Sequence, residues 1–344
     1  MGLPFASGPS LPFEGGNGSG RGGFKAQEPA EMSQSSLSAV LPIKLPTRPM
    51  EGDLQRAEML FKTLQSFATE ERVFEKVVVV AAGNELGRIQ EALAGYSCFD
   101  FDYVDEDHLV PEFRKHPSVG GWTRQQVIKL AANRVLETPF YLTLDCDILC
   151  TKRLSTDALL PGGKALLQLG SKDIHPTWWI SSAQMLRVDP KLDEPGMQVT
   201  PAILSAEICR LLLRELDVLG SPANAFEYLM KPLDRFALQR LQPGYKKKFR
   251  WTEYTLYHLF AESRGLIGKF HTICGTREHP QLLIGDHSVW KADDFEAWEP
   301  EKAFSPTDAG LFCVVQSNTA LKPSSVWRRV AAHVPARPNS GFSS

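Results

Sequence analysis

Apolar positions along this chain switch between two periods, and the switching predicts strands separated by helices. Leu37 to Leu45 reads as a strand. Leu54, Ala57, Leu60, Phe61, Leu64 and Phe67 then recur at three-four spacing, the signature of a helix with one buried face, and Asp53 stands where its cap is expected. The run Val77-Val-Val-Val-Ala-Ala82 has no polar face, so it predicts a strand covered on both sides, as in a parallel sheet. A short helix capped by Asn84 and ending near Gly95 leads to a strand from Phe99 to Val104. A helix after Gly120-Gly121, with Val127, Leu130, Ala131 and Val135 inward, leads to a fourth strand from Phe140 to Leu144. Four strands joined by helical crossovers predict a doubly wound α/β half of the nucleotide-binding kind.

The pattern loosens after residue 150. Strands are expected at Lys164 to Leu169, Gly268 to Ile273, Gln281 to Ile284 and Leu311 to Val315. Helices are expected at Ala206 to Leu219, at Thr252 to Ser263 closed by Gly265, and at Ser324 to Val334. A regular part at 37–150 followed by an irregular part at 151–331 suits two halves of one domain. Residues 1–36 are rich in Gly, Ser and Pro and bury too little apolar surface to offset ordering entropy, so a disordered leader is expected there. A flexible tail is expected at 332–344.

Charge narrows the partners. Lys plus Arg number 38 against 40 Asp plus Glu, a balance of −2 that gives no electrostatic footing for nucleic acid. With 43% hydrophobic residues in 344, the chain can bury a sizeable core, yet no stretch reaches the roughly 18 apolar residues of a membrane span. The six cysteines form no Cys-x-x-Cys pair and read as reduced thiols; with no basic-then-apolar N-terminus, a cytoplasmic location is expected. Gly2 invites a myristoylation reading, but Ala6 stands where the hydroxyl is needed.

The candidate chemistry lies in Pro139-Phe-Tyr-Leu-Thr-Leu-Asp-Cys-Asp147, a short apolar strand that ends in two carboxylates. Residues i and i+2 of a strand share a face, so Asp145 and Asp147 can meet one hard cation such as Mn²⁺ or Mg²⁺ in the crevice at the strand's carboxyl end. Cys146 should then point into the sheet. Two other Asp-x-Asp pairs, at 100 and 102 and at 105 and 107, lack the preceding apolar run.

A strand ending in Asp-x-Asp, fourth in such a half, resembles the GT-A class of nucleotide-sugar glycosyltransferases. Gly121-Trp-Thr-Arg-Gln-Gln-Val-Ile-Lys-Leu130, Leu144-Asp-Cys-Asp147, Val199-Thr-Pro-Ala-Ile-Leu-Ser205, Thr252-Glu-Tyr-Thr-Leu-Tyr257 and Val315-Gln-Ser317 are together similar to a family of uncharacterised GT-A-like proteins. The resemblance implies a GT-A-like Rossmann-type sandwich with a mostly parallel central sheet and an irregular C-terminal acceptor part. It also implies a nucleotide-diphosphate sugar donor, an acceptor that is a glycan, small molecule or protein, and a metal held by Asp145 and Asp147.

Many members of that class take a further ligand from a late histidine, for which His287 is the first choice and His271 the second. Arg124, Gln125 and Lys129, early in their helix, suit a diphosphate, as do Lys44 and Arg48 after the first strand; Asp100 or Asp102 would meet ribose or base. Glu253, beside Tyr254 and Tyr257, suits a general base, and Trp178 and Trp179 suit sugar faces. Two alternatives keep the same fold. One is a nucleotidyltransferase that forms nucleotide sugars, although Leu41-Pro-Ile-Lys-Leu-Pro46 lacks a Gly-rich phosphate loop; the other is a catalytically silent sugar- or nucleotide-binding protein.

Overall fold

In the computed structural model the described residues are 36–45, 52–70, 72–197, 200–231, 250–276, 278–307 and 310–336. The expected leader, apart from Ser36, and Arg48 lie outside them, as does all of the expected tail beyond residue 336.

Twelve strands occur among the described residues. The first four are β1 (Leu37–Pro42), β2 (Val77–Ala81), β3 (Phe101–Asp105) and β4 (Phe140–Thr143). Then follow β5 (Ile148–Cys150), β6 (Ala165–Leu167), β7 (Leu169–Gly170), β8 (Gly196–Met197) and β9 (Ala202–Ser205). The last are β10 (His271–Ile273), β11 (Gln281–Leu283) and β12 (Gly310–Val314).

The main sheet has the order β3-β2-β1-β4-β9. Its first four strands run parallel, and β9, from the later part of the chain, closes the edge antiparallel to β4. The sheet is therefore mixed and partly parallel, on an α/β Rossmann-like plan. Because both faces are covered, all five residues of β2 are buried, as an uninterrupted Val run requires. Val40, Val78, Val80 and Tyr141 pack into one apolar layer with the helix Gly121–Ala131, while Ala39, Leu41, Val77, Val79 and Leu142 pack into the other with the helix Asp53–Phe67.

The order matters for function. From β1 the chain crosses to β2 on one side, and β4 lies on the other, so a crevice opens at the carboxyl ends of β1 and β4 where the winding reverses. Smaller pairings flank this sheet: β11-β12-β5, β10-β6 and β7-β8. No helix among the described residues is long and apolar enough to cross a membrane.

Three local expectations need correction. Asp53 is the first residue of its helix and not the cap; Gly52 caps it, with Gln55 reaching back to the Gly52 N–H at 2.8 Å. The helix Leu86–Leu93 is preceded by Glu85 and not by Asn84, and the Glu85 carboxylate accepts from Leu45 N–H at 2.9 Å. Residues Ile267–Phe270 form a helical turn where a strand was expected, because Gly265, at φ +65°, ends the previous helix and the chain coils once more before β10.

Candidate functional site

The hydrogen bonding of β4 continues through Leu144 N–H to Val40 C=O at 2.9 Å, after which the chain turns sharply, Ile148 N–H donating to Asp145 C=O at 3.3 Å. It then leaves the main sheet for β5, which pairs with β12. Asp145 and Asp147 therefore sit on a turn between two sheets, not at alternate positions of one strand, yet both line one cleft of about 620 Å³. Both are half-buried, and Cys146 between them is buried against the apolar layer while also bordering the cleft.

The segment after β12 fixes the second carboxylate. Ser317 N–H donates to Asp147 Oδ2 at 2.7 Å, and Val315 N–H donates to the Asp147 carbonyl at 3.0 Å. Burial, reinforced by the charge of Asp145, pushes the Asp147 carboxyl up to about 6, against the pull of the Ser317 hydrogen bonds.

Lys129 lies beneath Asp145. It is almost fully buried, and its ammonium is 2.8 Å from Asp145 Oδ1 and 3.1 Å from Glu253 Oε1. It also donates to Thr200 Oγ1 and Tyr254 Oη, each at 3.1 Å. An ammonium has three protons, so these four neighbours saturate it. The Tyr141 hydroxyl donates to the Lys129 carbonyl at 2.8 Å and so ties the helix to β4. Tyr254 is held in turn by Thr200 and by Thr143 of β4. Burial alone would discharge Lys129, but Asp145, Tyr254 and Glu253 outweigh it and hold its pKa well above the ordinary lysine range.

Two of the residues expected to grip phosphate share this cleft, and two do not. Gln125 and Lys129 line it, although Lys129 is committed to carboxylates and not solvated. Arg124 is turned away: its guanidinium pairs with Glu106 at 2.6 Å and lies over the Phe113 ring. Lys44 is exposed and does not line the cleft. Asp100 and Asp102 are also off it, Asp102 lying 3.8 Å from Lys76.

Glu253 is fully buried, does not line the cleft, and faces Lys129 from behind; its carboxyl is raised above the ordinary range by burial, with Lys129 opposing. A carboxylate with no open face cannot touch a bound acceptor in this arrangement. His287 lines a neighbouring cavity instead of the cleft of Asp145 and Asp147. His271 is a core residue hydrogen-bonded to Tyr257 at 2.7 Å, its pKa lowered by burial to about 4. Among the described residues no group of three or more His, Cys, Asp and Glu side chains is placed to hold a metal, so the two histidines do not complete a set with the aspartates.

Sequence reasoning passed over several residues of the cleft: Asp53, Trp122, Gln126, Arg250, Ser317 and Asn318. Ser317 ended a quoted motif, but its backbone donation to Asp147 spans 170 positions, which no local spacing reveals. The neighbouring cavity, about 1000 Å³, meets the cleft across the shared side chains His175, Trp178, Thr252, Tyr254 and Trp290.

The chain belongs to the family of unknown function DUF6492, whose model matches residues 34–337. No curated protein matches it. Among solved structures it is similar to mouse xyloside xylosyltransferase 1, with 16% identity over 83% of this chain and 99% of that one and a TM-score of 0.44. It is also similar to core-mannan synthase A of Aspergillus fumigatus in a Mn/GDP form, with 8% identity over 72% and 74% and a TM-score of 0.41. A third similar structure is 4-diphosphocytidyl-2C-methyl-D-erythritol synthase of Anaerococcus prevotii, with 14% identity over 58% and 85% and a TM-score of 0.32. Likenesses this distant assign no activity.

Proposed function

We propose that this DUF6492 protein is a glycosyltransferase that takes a sugar from a nucleotide-diphosphate donor bound in the cleft at the ends of β1 and β4. The observation that carries the reading is the convergence of Asp145 and Asp147, half-buried and oriented by Lys129 and Ser317, on one cleft at the point where the sheet's winding reverses.

Two crowded carboxylates fit a hard divalent ion, which would relieve the burial and mutual repulsion that raise the Asp147 carboxyl. Two protein ligands also suit Mn²⁺ or Mg²⁺, which complete their shells with phosphate oxygens and water. Asp145 and Asp147 would hold the ion, and bound there it would offset charge on a departing diphosphate.

The chain's own residues do the rest. Lys129, fixed by Glu253 and Tyr254, holds Asp145 in one orientation. Arg250 and Gln125 line the walls where phosphate and ribose oxygens would lie, and Trp122, over whose ring Arg250 sits at 5.7 Å, offers a flat face to a base. Glu253 acts through Lys129 as a positioning residue.

Calorimetry with UDP and GDP tests this. Affinity should rise with Mn²⁺ in the wild type and be indifferent to Mn²⁺ in Asp147→Ala. Pyrophosphate release from a nucleoside triphosphate and a sugar 1-phosphate would replace the proposal with nucleotidyl transfer. Absence of nucleotide binding with either metal would end it.

A further inference from the structure

The larger cavity beside the cleft has an aromatic wall and a charged rim. Trp178 and Trp290 stand between the two spaces, and Trp290 keeps 39% of its surface open. Trp178 has one side taken by the His175 ring, whose centroid lies 3.9 Å away in a stacked arrangement, and Trp122 adjoins it at 6.1 Å. Ile174, at the same wall, is 66% exposed. Open indole faces grouped at a concave mouth indicate a surface that a ligand covers.

The rim indicates which chemistry covers it. Asp286, Asp294 and Glu299 share the lining with Lys291 and Lys302, a near balance that selects against a strongly charged ligand. The Glu299–Lys302 pair is already formed, and Asp294 accepts from the backbone N–H of Lys291 at 3.1 Å. A purely apolar ligand such as an acyl chain would bury these groups without replacing their water, at considerable cost. A pyranose satisfies both surfaces, since its C–H face packs on an indole ring while its edge hydroxyls meet carboxylates and ammonium groups.

We infer that this cavity binds a neutral saccharide, laid against Trp290 and Trp178, and that it is the acceptor subsite of the proposed transfer. The inference rests on the donor reading of the adjoining cleft for its role, but its binding claim stands on the cavity alone. The cavity is of a size that suits one or two sugar rings. Its shared wall would bring a hydroxyl of the bound sugar to the cleft.

The test is a broad oligosaccharide array, with hits measured by titration of the full chain, and dodecyl maltoside and dodecanoate run in parallel. Neutral oligosaccharides should bind the wild type. Trp290→Ala should weaken the hit about tenfold, roughly 1.4 kcal/mol and the scale of one aromatic face, while Trp290→Phe restores most of it. Ala297→Trp, at an exposed helical position on the cavity wall, should block the sugar while leaving Mn²⁺-dependent UDP or GDP binding unchanged. The inference is overturned if no oligosaccharide binds, if dodecanoate binds in their place, or if the hit is indifferent to both Trp290→Ala and Ala297→Trp. Saccharide binding without any nucleotide binding would keep the subsite and remove the transferase reading.

Discussion

Replacing Lys129 with Met tests the buried charge cluster most directly. The ammonium lies 2.8 Å and 3.1 Å from two carboxylates, so at an effective dielectric of about 20 each pair attracts by roughly 5–6 kcal/mol before desolvation is subtracted. Removing one partner of a buried pair costs about 3–5 kcal/mol, because the remaining charge is left unanswered.

The cost has a ceiling, since Glu253 can take up a proton. From its ordinary value of 4.5, protonation at pH 7 costs about 3.4 kcal/mol at ~1.36 kcal/mol per unit, and at pH 5 only about 0.7. The sign follows from the direction of the shift. A carboxyl raised in the folded state contributes stability below its unfolded pKa and loses it as pH rises toward the folded value. The gap between wild type and Lys129→Met should therefore be about 3 kcal/mol at pH 7 and shrink by some 2–3 at pH 5. Adding Glu253→Gln should recover at least half of the pH 7 loss, by removing the stranded charge. Urea unfolding of the four proteins at both pH values reads all of this. A gap under about 1 kcal/mol at pH 7, or strict additivity in the double variant, would refute the cluster as described.

Four further outcomes can be checked. Asp147→Asn should abolish the Mn²⁺ dependence of nucleoside-diphosphate affinity with little loss of stability, whereas Asp145→Asn should also lower the melting temperature because it removes a partner of Lys129. His258, buried with both ring nitrogens unpartnered among the described residues, has its pKa lowered by burial to about 3 from 6.5. It is therefore neutral in the fold, its contribution is complete above pH 6.5, and about 2 kcal/mol is lost by pH 5; His258→Leu should flatten that part of the pH–stability curve relative to wild type. Gly310→Ala should cost about 1–3 kcal/mol, read by thermal melting, because the new methyl would lie 2.0 Å from Ile284 Cγ1. In a glycosyl-transfer assay, Glu253→Gln should lower kcat while retaining nucleotide affinity, and a loss confined to acceptor KM would show that Glu253 does not act through Lys129.

The parallel part of the main sheet was legible because β1, β2 and β4 are short and mostly apolar and β3 alternates; these four fall within two residues of their expected starts, whereas β9, the antiparallel edge strand, was not expected. Caps were less legible. Glu85 serves Leu45, forty positions earlier, and Gly52 has no side chain to cap with, its helix start being marked only by Gln55 reaching back to the Gly52 N–H. At the cleft, Asp145, Asp147, Gln125 and Lys129 were legible as residues but not in their relations. Lys129 and Glu253 were singled out for phosphate and for a proton, and the fold instead presses them against each other across 124 positions. His287 failed as a partner for the aspartates for a related reason. Its loop is pinned by Ser288, which donates to Ile284 C=O and accepts from Val314 N–H, and that places residue 287 in the larger cavity. Arg250 and Trp290 carried no periodic or motif signal, and only the meeting of distant segments gives them a shared surface.

The two aspartates also differ in a way that divides their work. Asp145 already has an ammonium at 2.8 Å, and Asp53, the third carboxylate of the cleft, lies 3.6 Å from Arg56. Asp147 has backbone support from Ser317 but no cationic side chain at ion-pair distance among the described residues. Buried ion pairs seldom add stability over apolar packing, so the Lys129 cluster is better understood as a device for orientation than as a source of stability. It holds Asp145 still and offsets part of its charge, whereas Asp147 has no such ion pair among the described residues. A diphosphate entering beside Asp147 would meet repulsion unless a cation arrived with it. On the proposed reading, Asp147 would contribute most of the charge that draws in the ion, and Asp145, fixed by Lys129, would set the geometry at which both carboxylates meet it.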